Sequence, residues 1–210
     1  MPSHRIARRA LPGLAAAILT GAILASAPSW AQAPNAVRVR ATIDAVAGDS
    51  VTLTTRAGDK MIVDLTPSTT VVEIVPIKLE DIKPGSFIGS AAMPQADGSQ
   101  KALEVHVFPE SMRGTGEGHR PFDLQPQSTM TNGTVGSVTG TTSRTLTVTY
   151  QGGEKTIDVP PNTPVVTYEP GTRALLTPGA HVILMGTKAE DGKITATRIS
   201  VGKGGMVPPM

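Results

Sequence analysis

Cysteine is absent from this sequence, and aromatic residues are scarce: three Phe, two Tyr and one Trp in 210 residues. The first absence excludes disulfide staples, thiolate nucleophiles and cysteine-ligated metals. Stability must come from burial, and a chain of this length can build one or two small cores. The second absence argues against nucleic acid, because barrels that hold single strands stack bases on aromatic rings along a basic groove. Long apolar stretches are also missing, apart from one near the start.

That stretch reads as part of a secretory signal peptide over residues 1–31. Arg5, Arg8 and Arg9 form a positive leader, followed by the 11-residue apolar run Leu14–Leu24 and the small residues of ASAPSWAQA. Cleavage is expected after Ala31, because Ala27 and Ala33 are each followed by Pro. The run is too short for a membrane span of about 20 residues. Arg8-Arg9 followed by Leu11 weakly resembles a twin-arginine signal; ordinary secretion to the periplasm is the expected route. Export removes three of the 19 basic residues and none of the 17 acidic ones, leaving 16 against 17 and a net charge of −1 with His neutral. The basic pI of about 9.0 therefore belongs to the precursor, and neither nucleic acid nor an acidic membrane is implied. No second apolar segment long enough to span a membrane follows.

What is present is a recurrence. ATIDAV (41–46) matches GTVGSV (133–138), and VTLTTRAGDK (51–60) matches LTVTYQGGEK (146–155). VDLTPSTTVV (63–72) matches IDVPPNTPVV (157–166). KPGSFIG (83–89) matches TPGAHVI (177–183), and DGSQKALEVHV (97–107) matches DGKITATRISV (191–201). Five blocks in one order, offset by 92 to 95 residues, read as a tandem duplication.

Within each unit, Val51 and Leu53 alternate with Thr52 and Thr54, as Leu146 and Val148 do with Thr145 and Thr147, the period of half-buried strands. Ala57-Gly58-Asp59, Gly152-Gly153, Asp97-Gly98 and Asp191-Gly192 mark hairpins. IKLEDIKPG (77–85) and TRALLTPG (172–179) read as short helical turns closed by Pro-Gly. The expected fold is all-β: two tandem small OB-like antiparallel barrels, each with a short helical turn before its last two strands. The domains expected are barrels at 32–108 and 131–203, an ordered strap at 109–130 and a flexible tail at 204–210.

These motifs carry a resemblance. The Gly133-Thr134-Val135 start, the Thr145–Val148 strand, the Leu176–Gly179 turn and the Asp191-Gly192 hairpin ending in Ala196–Ile199 resemble OB-like repeats of exported bacterial proteins, grouped as a domain of unknown function. The likeness covers nearly all of 37–203 and implies a fold more than an activity. VFPESMRGTGEGHRPFDL with STMTNGTV is further similar to a proteobacterial subgroup often named metal ABC transporter permease. A permease needs several spanning helices and this sequence has none, so that name implies at most a metal-related neighbour.

The segment Phe108–Met130 stands apart, with two of the three Phe, a His and closely spaced charges. As a strap, Phe108 and Phe122 anchor it on apolar surface while Glu110, Arg113, Glu117, Arg120 and Asp123 pair with one another or with backbone. As a metal site it would draw on His119, Met112 and Glu117 first, with His106, Glu110, Asp123 and Met130 in reserve, since imidazole, carboxylate and thioether suit copper or zinc. Met206 and Met210 in the tail could add soft donors. No His-x-x-x-His pair or HExxH occurs, and His106 has Ser200 as its match, which predicts an outward strand position. GTGEGH (114–119) is not a phosphate loop, because the spacing is wrong and Pro121 follows almost at once. With no GxSxG elbow, and with His181 matching Phe87 at a barrel position, no catalytic constellation is evident. The reading is a non-enzymatic exported binding or interaction module with an envelope protein or small ligand as partner. The alternative is a periplasmic metal-handling accessory.

Overall fold

The computed structural model describes residues 35–139 and 144–210; the expected signal peptide lies outside them. Thirteen strands follow in chain order: β1 (Ala36–Ala47), β2 (Ser50–Thr55), β3 (Lys60–Asp64), β4 (Thr70–Pro76), β5 (Phe87–Pro94), β6 (Gln100–Val107) and β7 (Gly118–Pro121), then β8 (Thr129–Thr139), β9 (Thr145–Tyr150), β10 (Gly153–Asp158), β11 (Val165–Pro170), β12 (His181–Lys188) and β13 (Ile194–Gly202). The fold is all-β. Helix among the described residues is limited to single 3-10 turns, two of which, Leu79–Asp81 and Arg173–Leu175, stand before β5 and β12. None is long and apolar enough to cross a membrane.

Alternation builds the strands. Val51 and Leu53 of β2, and Leu146 and Val148 of β9, are buried while their Thr neighbours are not. The hairpins turn on Gly58 and Gly152, whose φ of 93° and 105° suit a residue without Cβ.

The pairings close two five-stranded rings within one 13-stranded sheet. Ring one is β1–β2–β3–β13–β12, completed by parallel pairing of β13 with β3 and antiparallel pairing of β12 with β1. Ring two is β8–β9–β10–β6–β5, completed by parallel β10–β6 and antiparallel β5–β8. Each ring thus takes three strands from one matched segment and two from the other. Two barrels closed separately over 32–108 and 131–203 are not what these pairings show: the final hairpins trade places.

The cause lies in β4 and β11, which the sequence marks only as extended pieces. At about 3.3 Å per residue, the seven residues of β4 carry the chain roughly 23 Å before the next hairpin. β4 runs parallel to β13 and antiparallel to β11, which in turn runs parallel to β6. Ile74 stands opposite Tyr168, flanked by Val72–Pro170 and Pro76–Val166. Because the matched blocks align Val72 with Val166, this register is unchanged when the two segments are exchanged.

Burial follows the exchange. One core joins Ile43, Val51, Leu53 and Val63 to Leu184, Ala196 and Ile199. A second joins Ile88, Ala102 and Val105 to Leu146, Val148 and Ile157. A third lies outside both rings and contains Ile74, Phe87, Phe108, Val166, Tyr168, Ile183 and Met210.

Met210 shows that the tail is not a loose end. A 3-10 turn at Lys203–Gly205 redirects it, Arg40 Nε donates to the Met210 main-chain oxygen at 2.9 Å, and Arg56 Nη2 donates to the Pro208 oxygen at 3.2 Å. Its anchoring uses main-chain oxygens and single Met side chains, so it leaves no hydrophobic period in the sequence.

A candidate binding cavity between the rings

The strap forms one wall. Phe108 follows β6 and is fixed by its N–H donating to the Phe87 oxygen at 2.9 Å. It packs tilted against Phe87, ring centroids 5.4 Å apart, and stacked on Tyr168 at 5.8 Å. A 3-10 turn, Glu110–Met112, is pinned by Arg113, which pairs with Glu110 and donates to the Gly85 oxygen at 2.9 Å. β7 then adds to the outside of β8, with His119 opposite Thr131 and Arg120 opposite Met130. Beyond it, Phe122 lies under the guanidinium groups of Arg38 and Arg40, 4.8 and 5.7 Å from its ring centre. Asp123 accepts from Arg38 at 3.1 Å and from Arg40 at 2.8 Å. Arg40's hydrogen bond is the main reason the Asp123 carboxyl is held down at about 2.

Beneath the strap lies a cavity of about 160 Å³ lined from both rings. Across ring one the strand registers give a row Arg40–Ile183–Ser200 and, one step along, Arg38–Met185–Arg198. Across ring two the corresponding rows are Asn132–Gly89–His106 and Met130–Ala91–Glu104. Arg38, Ile183, Met185, Arg198 and Ser200 face Met130, Asn132, His106 and Phe108 over this space. Tyr168 of β11, Met210 of the tail, and Thr115, Gly116, Arg120 and Phe122 of the strap complete it.

The acidic side of this wall is self-contained. Glu104 is fully buried and sits at a β-bulge where the β5–β6 register slips after Ala91. Its Oε1 accepts the Ala91 N–H at 2.8 Å, and its Oε2 lies 2.9 Å from His106 Nδ1. The His106 ring turns its Nε2 toward Gly89 and Asn132. A Cβ at Gly89 would collide with the His106 ring and come within 2.6 Å of Asn132 Oδ1. Glycine is what lets both side chains lie over this strand. Tyr168 touches the His106 ring edge-on at 5.9 Å and points its hydroxyl at Met210 Sδ, 3.0 Å away. Burial first, and the Glu104 charge second, push its phenol well above the ordinary range.

The basic side is under-compensated. Arg38 shares Asp123 with Arg40, but Arg120 and Arg198 make no salt bridge among the described residues. Arg120 donates to the Gly116 oxygen, and burial plus the neighbouring Arg38 charge lower its pKa. Arg198 Nη1 reaches only Met112 Sδ, at 3.9 Å, and its buried Nε has no acceptor. Asn132 Nδ2 donates to the Thr115 oxygen at 2.9 Å, which fixes the amide orientation and leaves the buried Oδ1 without a donor.

The sequence-derived candidates are divided by this geometry. Phe108, Arg120 and Phe122 line the cavity, Asp123 holds its rim, and Glu110 and Arg113 pair with each other further out. His106 is 3% exposed and bonded to Glu104, so its strand position faces out of ring two but under cover. The first-choice metal ligands are separately engaged. Met112 faces Arg198, Glu117 accepts the Gln151 N–H at 2.9 Å, and His119 lies 2.8 Å from Thr131 Oγ1 and stacks on Tyr150. Burial, then Lys155 and Arg120, lower the His119 pKa. Among the described residues no three His, Asp or Glu side chains gather as a metal site requires.

Sequence reasoning missed Arg38, Gly89, Glu104, Asn132, Tyr168 and Arg198. A signal existed: in the matched blocks Glu104 aligns with Arg198 and Gly89 with Ile183, so positions of equal register carry opposite charge or size. Comparison with protein-family models, curated proteins and solved structures yields no match.

Proposed function

We propose that this chain is an exported, non-enzymatic binding module of two OB-like barrels that takes a small anion into the cavity between them. The observation that carries this reading is the pair Arg120 and Arg198: two guanidinium groups on a partly buried cavity without a carboxylate partner among the described residues, one with an orphaned Nε. A buried donor left unpaired costs about 1–3 kcal/mol, and an anion would satisfy it with a charge-assisted bond.

The strand order of each ring, three meandering strands closed by a hairpin whose last strand runs parallel to the third, supports the OB-like reading. The correspondence of registers between the segments supports duplication, and the leader supports a periplasmic location. Against turnover stands the His106 pair with Glu104, in which no hydroxyl is hydrogen-bonded to the His106 ring among the described residues. A metal cation is disfavoured in the same space: at an effective dielectric near 20, like unit charges about 4 Å apart repel by about 4 kcal/mol. Three guanidinium groups line it.

Calorimetric titration of the mature protein with propionate and inorganic phosphate tests the proposal. Binding should weaken at least tenfold when Arg120→Gln and Arg198→Met are combined. Absence of anion binding, or binding indifferent to both changes, would overturn it.

A further inference from the structure

Resting on the anion-binding reading, we infer that the ligand is a short 2-hydroxycarboxylate, its carboxylate held by Arg198 and Arg120 and its hydroxyl donating to Asn132 Oδ1. The cavity presents two kinds of group. The guanidinium groups of Arg38, Arg120 and Arg198 offer only donors. Asn132 Oδ1, fixed by the Nδ2 bond to Thr115 and lacking a donor, offers an acceptor. A simple anion answers the first kind and leaves the acceptor unsatisfied. A carboxylate with a hydroxyl on the adjacent carbon answers both.

Size sets the chain length. A cavity of about 150 Å³ admits a six-carbon ring, and this one measures about 160 Å³, so lactate fits with its methyl against Tyr168 and Ile183. Charge selects hydroxyl over ammonium. An amino acid would supply the donor as well, but its cation would meet Arg38, Arg120 and Arg198, while Glu104, the one buried carboxylate among the described residues, is already committed to His106 and the Ala91 N–H.

The test compares lactate, 2-fluoropropionate, propionate and alanine by calorimetry on the mature protein. 2-Fluoropropionate keeps lactate's shape and charge but donates nothing. Lactate should bind about tenfold tighter than 2-fluoropropionate or propionate, the 1.4 kcal/mol expected of one satisfied buried acceptor, and tighter than alanine. In Asn132→Leu the lactate advantage over propionate should fall to about one; the ligand series in the unaltered protein decides the matter if that variant does not fold. Equal binding of lactate and 2-fluoropropionate, or tighter binding of alanine, overturns the inference and leaves the anion site standing. Failure of every carboxylate to bind removes the anion site itself.

Discussion

On ring one the row crossing β1, β12 and β13 reads Arg40, Ile183, Ser200; on ring two the row crossing β8, β5 and β6 reads Asn132, Gly89, His106. One step along, Arg38, Met185 and Arg198 answer Met130, Ala91 and Glu104. The inward-facing positions of the two rings are mostly aliphatic or Ala, with Ser90 and Gln100 of ring two standing where ring one has Leu184 and Ile194. The outward rows differ: one is a cationic, bulky face, and the other holds Glu104 and the hollow at Gly89. What a closed ring needs constrains only its inside. The faces that meet between the rings are free to differ, and their difference shapes the cavity.

The comparison holds only if the hairpins are exchanged, and breaking that has the largest effect. Asp64 of β3 lies beside Thr195 of β13, and neighbouring strands fall within disulfide reach. In a chain without Cys, Asp64→Cys with Thr195→Cys should cross-link completely on mild oxidation. Asp64→Cys with Lys101→Cys, the pair that a self-closing segment would bring together, should not. The reverse pattern on a non-reducing gel means that each segment closes its own ring. By the same logic the isolated fragment 35–108 should show no cooperative melting as a monomer.

Equivalent positions should respond differently to truncation. Glu104→Ala strips the partner from both the Ala91 N–H and His106, which for a buried pair costs about 3–5 kcal/mol. At the matching position, Arg198→Met removes an unpaired cation and keeps the volume, so stability should change by under about 1 kcal/mol and can rise. Chemical denaturation of both variants checks this, and equal losses would mean that Arg198 has a partner of comparable strength. Gly89 and Ile183 form the next contrast. Gly89→Ala drives a methyl into His106 and Asn132, an overpacking cost of about 1–3 kcal/mol, whereas Ile183 is damaged by shrinking, with Ile183→Ala costing about 2–5 kcal/mol. A Gly89→Ala variant as stable as the parent would show that the His106 ring can move aside.

Much of the scaffold was legible because it is periodic. Val51, Leu53, Leu146 and Val148 declare their strands by alternation, and Gly58 and Gly152 their turns by chemistry. The exchange was not legible, because both final hairpins alternate with the same period, and their differences, Ser90 for Leu184 and Gln100 for Ile194, do not say which ring each one fills. The cavity was half legible. Phe108, Arg120, Phe122 and Asp123 stood out in an unusual segment. Glu104 and Arg198 lie in ordinary strands, where a charge reads as solvent-facing until a second layer is known to cover it.

The smallest effect concerns the rim. Asp123 pairs with both Arg38 and Arg40 and offsets one of their two charges, while Arg120 and Arg198 make no salt bridge among the described residues. Its carboxyl is depressed from 3.8 to about 2, so the stability it contributes is full above the unfolded pKa near 4 and is lost as pH falls through 2. Asp123 is more than half exposed, and solvent screening limits that contribution to about 1 kcal/mol. Asp123→Asn should therefore lower the melting temperature by about 2–4 °C at pH 7, with the difference closing toward pH 2. The same change uncovers two more guanidinium charges beside the cavity and should strengthen propionate binding. A deficit that persists undiminished at pH 2 would place the role of Asp123 in packing against Phe122 and not in its charge. Weaker propionate binding would then mean that Asp123 holds the strap in position over the cavity.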